Sequence, residues 1–292
     1  MLKIAMLGCD SSHTETYASL INKNTSSLYG KAKVNWLWGQ NHAQVKEKAL
    51  MGEIPFVCST IEEAIKDADF VMVNNRFGDD HFLPAKIALA AKKPVYIDKP
   101  FTNKLSEALE LTAVAKENKV PLFSFSPYLF SNEFLQAKKQ LKDINNLVGS
   151  IFACPADCKE IPDPRVNDIH WYGVHVSDLV VDLLGKNIKS LKTNKSKKGL
   201  WITLTHAEGL HTTLNFPFSA DDFATWSLFH REQAYHFKIS VDGSYYLNTL
   251  NFLLSNYDNQ PLAEKMIENS CKSIAILDAI IESEITNKEV YF

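Results

Sequence analysis

Within the first 125 residues, short apolar runs alternate with amphipathic segments at α/β spacing, and this alternation limits the possible folds more than any other feature. Residues 70–73 are apolar throughout, as a strand buried on both faces of a parallel sheet must be. Around that run the pattern predicts strands at 2–7, 34–38, 54–58, 94–97 and 122–125. Helices are expected from Ser12, over 43–50, after Thr60, over 82–91 and over 105–117. Thr60 and Glu63 stand at capping-box spacing. Right-handed crossovers return each strand to one sheet, so residues 1–122 are read as a doubly wound, Rossmann-type α/β domain.

The texture changes after Phe125. Leu210, Thr212, Leu214 and Phe216 share one face of a period-2 segment, and Tyr235, Phe237, Ile239 and Val241 share another. Glu208–Gly209 and Asp242–Gly243 have the composition of hairpin turns. Residues 123–292 are therefore expected to form an α+β domain around a mostly antiparallel sheet. A final helix over 261–284, with Ile267, Cys271, Ile274, Leu277 and Ile281 along one stripe, can pack back on the first domain.

Bulk properties exclude several classes. The 31 basic and 34 acidic side chains are interleaved and the net charge is −3, so neither nucleic acid nor an anionic membrane is an expected partner. Residues 192–198 hold the densest basic stretch, which reads as a solvated turn. No apolar run reaches the ~18 residues of a membrane span, and the first apolar stretch is a strand rather than a leader. Five cysteines are an odd number in a large chain, which argues against a disulfide framework and for the cytoplasm. Cys154 and Cys158 form the one close pair and lack a partner pair at zinc-ligand spacing, so no metal is expected.

The turn after the first strand reads Gly8-Cys9-Asp10-Ser11-Ser12-His13. A dinucleotide turn needs glycines so that the backbone can bend tightly and approach a pyrophosphate at a helix N-terminus. Gly8 meets the first need, whereas Asp10 and His13 stand where the second and third glycines belong. A carboxylate ~5 Å from a phosphate costs roughly 3 kcal/mol at an effective dielectric of about 20, or around a hundredfold in affinity. Asp10 escapes this only by turning away, for instance to cap the helix; otherwise the segment is a strand-to-helix turn without a ligand. The second strand ends in Gln40-Asn41, with neither an acid for a ribose nor an Arg for a 2′-phosphate, which leaves NAD and NADP both open.

Asp98-Lys99-Pro100 ends the fifth strand. A lysine there points into the crevice where ligands of such sheets bind, and proton exchange with an alcohol or carbonyl is chemistry a lysine in such a place can perform. Farther on, Gly173-Val174-His175 opens an apolar helix ending at Gly185. His175 and Asp178 are i,i+3 neighbours, so the carboxylate can orient the imidazole, and Trp171 lies one turn earlier.

Together these residues resemble the Gfo/Idh/MocA family, named for glucose–fructose oxidoreductase and inositol dehydrogenase, along nearly the whole chain. Asp98-Lys99-Pro100 is similar to its Glu-Lys-Pro signature, and His81 to the His of its Asn-x-x-His turn. Gly149-Ser150-Ile151 is similar to the segment opening its second domain, Gly173-Val174-His175-x-x-Asp178 to its Gly-x-His-x-x-Asp helix, and 280–283 to its closing helix. The resemblance implies hydride transfer between a nicotinamide and a sugar, polyol or related carbonyl. It makes Lys99 the proton-transferring residue and His175 the substrate-side acid/base or orienting group. Gly8, Cys9, Asp10, Ser11, Ser12, His13, Asn74, Asn75, Arg76, His81 and Asp98 become candidates for the cofactor side, and Trp171 and Asp178 for the substrate side. It further implies an open-faced second sheet that joins subunits into a homodimer or homotetramer. Trp171 replaces an Asp that binds substrate hydroxyls in many members, and Asn74-Asn75-Arg76 replaces a run of small residues and proline. Those departures, with Asp10, leave an alternative: a non-catalytic relative that senses a nucleotide or small ligand.

Overall fold

The computed structural model describes residues 1–292 except 142–145, 158–160, 162, 219, 222 and 241. Cys158 and Val241, both singled out above, lie outside the described residues. The chain divides into two compact units, one of Met1–Phe125 with Tyr246–Glu268 and one of Ser126–Tyr245 with Asn269–Phe292.

The first unit is built on a parallel sheet of six strands: β1 (Leu2–Leu7), β2 (Ala32–Trp38), β3 (Phe56–Val57), β4 (Phe70–Val73), β5 (Val95–Ile97) and β6 (Leu122–Ser124). Their order is β3-β2-β1-β4-β5-β6, so the chain reverses direction across the sheet between β1 and β4. Crevices at such a reversal are where ligands of open α/β sheets sit. All four residues of β4 are fully buried, as its apolar run requires. The third strand is shorter than expected, and both its residues are exposed; an edge position gives it only β2 to pair with.

The helices are α1 (Ser12–Asn22), α2 (His42–Met51), α3 (Ile61–Ile65), α4 (Phe82–Ala90) and α5 (Leu105–Asn118). The Thr60 hydroxyl accepts the Glu63 N–H at 3.1 Å, and the Glu63 carboxylate accepts the Ser59 N–H at 2.7 Å. This is a capping box displaced by one residue.

The second unit begins with α6 (Asn132–Gln140), β7 (Leu147–Ala153) and α7 (Ile169–Leu184). Next come β8 (Ile188–Ser196), β9 (Gly199–His206), β10 (His211–Pro217), β11 (Thr225–His230) and β12 (Ala234–Lys238). With β13 (Val290–Tyr291) these strands form a seven-stranded sheet ordered β12-β11-β7-β10-β9-β8-β13. Among the described residues of this sheet, only β7 and β10 pair in parallel. Thr212, Leu214 and Phe216 point inward, where Phe152, Trp226 and Phe237 stack beside Phe134 of α6. On the opposite face Thr203, Thr213, Ile151, Ser227 and His236 lie in one cross-strand row, with Trp201 one row away; Ile151 and Trp201 are 42% and 43% exposed.

Two expectations are corrected here. Residues 192–196 are strand, not turn: β8 carries its lysines toward the end of the sheet, where charge on a short-paired strand discourages edge association. Asp242–Gly243 is not a hairpin. Its carboxylate accepts the Ser244 N–H at 2.9 Å and starts α8 (Ser244–Asn256), a helix the alternation did not reveal. Rings of α8 and the residue after it pack on the first unit: Phe252 on Phe123 and Phe125, and Tyr257 on Phe70. The last helix, α9 (Gln260–Thr286), gives its first nine residues to the first unit and the rest to the second.

Candidate functional site

At the end of β1 the chain must turn sharply, and Gly8 does so at φ +97° while donating its N–H to Trp38 O. A Cβ there would stand 2.5 Å from Asn75 N and 2.7 Å from the Asn75 side chain, so only glycine lets the loops after β1 and β4 approach. Thr14, missed in the sequence, donates to Gly8 O and ties the turn to the first helix. Ser11, not Asp10, is the N-cap of α1 and accepts the His13 N–H. Ser12 is exposed at the first helical position.

The two residues in glycine's place are accommodated differently. Asp10 turns across the sheet reversal and accepts the Arg76 N–H at 3.2 Å. The Arg76 guanidinium grips the Asp10 carbonyl oxygen through Nε at 2.9 Å and Nη2 at 2.6 Å. The guanidinium is therefore held on the Asp10 main chain, at the position where the turn lacks a glycine. His13 instead sends its ring inward. Its Nδ1 lies 2.5 Å from Asp98 Oδ2 and its Nε2 2.9 Å from the Tyr246 hydroxyl. Asp98 is 1% exposed and also accepts the Lys99 N–H at 2.9 Å and, at 3.3 Å, the Tyr96 hydroxyl. Burial raises the Asp98 carboxyl, but His13 and Lys99 outweigh that and hold it below the ordinary carboxylate range.

Cys9, His81 and Asp98, all candidates for ligand contact, are turned inward by the structure. The Cys9 thiol packs where a side chain at Gly39 would collide with it, and burial raises its pKa. His81 is fully buried, with Nε2 2.8 Å from Asn75 O and Nδ1 2.8 Å from Pro100 O, which fastens the loop after β4 to that after β5. At the end of β2, Gln40 accepts from Asn75 Nδ2 at 3.2 Å, while Asn41 is spent capping α2. Lys99, partly exposed, follows Asp98 at the end of β5, joined to Pro100 by a cis peptide bond.

One residue at the sheet reversal is unsatisfied. Asn74 is fully buried, yet neither its Oδ1 nor its Nδ2 has a hydrogen-bond partner among the described residues; Asn75 Oδ1 likewise has none. Unmade hydrogen bonds of this kind cost ~1–3 kcal/mol each, so such an amide at a crevice is a place for a ligand's polar atoms. With the Gly8 cradle and the exposed start of α1, these residues fit a dinucleotide.

In the second unit, α7 carries Trp171, His175 and Asp178, all buried. Asp168 caps this helix through the His170 N–H. The His175 Nδ1 lies 2.6 Å from Ser126 Oγ, and its ring stacks on Tyr128 at 4.3 Å. Asp178 accepts the Ser126 N–H at 2.6 Å, so Ser126 links the two residues expected to pair directly. Burial pushes the Asp178 carboxyl up to about 7. Trp171 packs edge-on against Tyr172 at 4.6 Å. Ser126 and Tyr128 escaped the sequence reading, although Ser126-Pro127 has the composition of a helix start. Lys99 belongs to the first unit and His175 to the second.

Comparison with known proteins agrees with this layout. Residues 2–125 match the family described as an oxidoreductase family with an NAD-binding Rossmann fold. A curated relative, Uncharacterized oxidoreductase YhhX of Escherichia coli (strain K12), is 30% identical over 156 residues, covering 50% of this chain and 45% of the relative. The chain's matches span less than half the length of its curated relatives. Among solved structures, GenD2 from gentamicin A biosynthesis in complex with NAD superposes with a TM-score of 0.83 at 14% identity, covering 100% of this chain and 96% of that one. The myo-inositol dehydrogenase of Lactobacillus casei, solved with NAD(H) and myo-inositol, gives 0.81 at 12% identity, covering 100% and 97%. At such identity the likeness is one of fold.

Proposed function

We propose that this chain, whose residues 2–125 match an oxidoreductase family with an NAD-binding Rossmann fold, is a Gfo/Idh/MocA-type dehydrogenase exchanging a hydride between a bound nicotinamide dinucleotide and a small hydroxylated or carbonyl substrate. The observation that carries this reading is the fully buried, unbonded amide of Asn74 at the end of β4, where the chain reverses across the parallel sheet. The bound dinucleotide supplies the hydride acceptor or donor.

The chain's own residues then divide the work. The Gly8 turn and the first amides of α1, at Ser11 and Ser12, hold the pyrophosphate, because a helix N-terminus gathers free N–H groups and positive potential. Arg76 offsets Asp10, whose charge the turn would otherwise set against the phosphates. Asn74 and Asn75 offer amide contacts, and His13, His81 and Asp98 hold the loops that carry these groups. Lys99 exchanges the proton of the substrate oxygen. In the second unit His175 serves as an orienting group toward substrate, Asp178 supports the histidine, and Trp171 favours a substrate with a flat, weakly polar face. The open sheet face with Ile151 and Trp201 joins copies into a dimer or tetramer, and the described cysteines Cys9, Cys58, Cys154 and Cys271 form no disulfide, in keeping with a reducing cytoplasm. No described helix is long and apolar enough to cross a membrane.

Calorimetric titration with NADH and NADPH tests the cofactor half. Binding of at least one is expected, weakened tenfold or more in Arg76→Ala, because a charge-assisted contact is worth ~1.5–3 kcal/mol. Absence of binding by both at about 1 mM, an affinity worth only about 4 kcal/mol, refutes it. Lys99→Met is expected to keep cofactor binding and lose turnover on a polyol and sugar-acid panel; unchanged turnover removes Lys99 from the reaction. The Asp10–Arg76 bridge, which spans the sheet reversal, favours a second reading as a ligand sensor. Binding without turnover across that panel selects it.

A further inference from the structure

We propose that Ser126 fixes the tautomer of His175, keeping the ring proton on Nε2 and making this histidine a hydrogen-bond donor, not a base, toward a substrate oxygen. The substrate half of this statement rests on the function proposed above; the tautomer half does not.

The argument is an accounting of protons around one buried hydroxyl. Ser126 is fully buried. Its N–H is committed to Asp178 Oδ2 at 2.6 Å, and its carbonyl oxygen accepts the Leu129 N–H at 3.1 Å. Two described groups reach its Oγ: the Tyr128 backbone N–H at 3.2 Å and the His175 Nδ1 at 2.6 Å. A backbone N–H can only donate, so the hydroxyl oxygen is the acceptor in that contact. The serine's own proton then has a single described acceptor, the imidazole Nδ1. Were Nδ1 protonated instead, the ring and the amide would both donate to Oγ, and the buried hydroxyl proton would have no described acceptor, which folded proteins avoid.

A neutral ring that accepts at Nδ1 carries its proton at Nε2. Neighbouring groups hold this arrangement. Tyr128 stacks on the ring at 4.3 Å with 26° between planes, and Tyr172 stands at 5.7 Å on a tilted contact. Asp178 acts at one remove: it grips the backbone of the serine whose hydroxyl meets the ring. Ser126 is thus a positioning residue.

The test is nitrogen-15 NMR of the full chain labelled at histidine, recorded where the ring is neutral, with the His175 signals identified by their loss in His175→Gln. The expected wild-type spectrum has an unprotonated, pyridine-like Nδ1 and a protonated Nε2. Ser126→Ala is expected to lose that fixed tautomer and Ser126→Thr, which keeps the hydroxyl, to retain it. A protonated Nδ1 in the wild type, or an Ala variant with an unchanged ring spectrum, overturns the proposal. The wild-type spectrum decides the sign even where Ser126→Ala does not fold. Because no cofactor or turnover enters the measurement, its failure is distinct from failure of the dehydrogenase reading. Where turnover is found, Ser126→Ala is expected to lower kcat/KM by roughly tenfold, with Ser126→Thr restoring it.

Discussion

Replacing Asp178 by Asn isolates the cost of one buried carboxyl. Burial lifts this group from its ordinary value near 4 to about 7, roughly three units at about 1.36 kcal/mol each, or about 4 kcal/mol. Between these values the folded protein keeps a proton that the unfolded chain has released. Stability therefore falls as pH rises from about 4 to about 7, and levels off once the folded carboxyl also ionises. Asn keeps the shape and still accepts the Ser126 N–H, but has no proton to lose. From pH 5 to pH 8 the variant should gain about 3 kcal/mol on the wild type, the portion of the window above pH 5. Urea unfolding at the two pH values, followed by tryptophan fluorescence, measures that difference. A variant-minus-wild-type gap that is the same at both pH values, within about 0.5 kcal/mol, refutes the reasoning.

The remaining predictions concern two other sites. His170 is 2% exposed between Asp168 at 2.7 Å and Asp278 at 2.9 Å. Burial lowers its pKa, but the two carboxylates overcome this and raise it to about 9. Its contribution is complete below about pH 6.5 and is lost as pH rises through about 9, roughly 3 kcal/mol in all. His170→Gln should abolish that alkaline limb of the unfolding profile, and an unchanged limb assigns it to other groups. Gly8→Ala should cost about 2 kcal/mol or more through its positive φ and the Asn75 collision. It should also remove dinucleotide binding; calorimetry on a still-folded variant that binds normally would disprove the cradle.

Much of the fold was legible because it is written in local periodicity. The four-residue apolar run of β4, the caps at Thr60 and the inward face of β10 are properties of a few neighbouring residues, and the structure reproduces them. The basic end of β8 was misread because lysine and serine carry a turn's composition, while strand pairing with β9 overrode it. Helix α8 was missed because Asp242-Gly243 is equally good chemistry for a hairpin and for a helix start. Among the candidate residues, Gly8, Lys99 and His175 stood out in the sequence by type and position, and the sharp turn at Gly8 is present in the structure. The inward turn of His13 was not, since its partner Asp98 lies 85 residues away.

The sequence by itself determined the parallel sheet, the sharp turn at Gly8 and the types of residue at the strand ends, because periods of 2 and 3.6 residues and the freedom of glycine act over short spans. Only tertiary structure decided what the unusual residues do: that Asp10 faces Arg76, that His13 anchors Asp98, and that Ser126 stands between His175 and Asp178. Those outcomes depend on which distant groups share a buried space, where every polar atom must find a partner and local sequence carries no record of which one it will be.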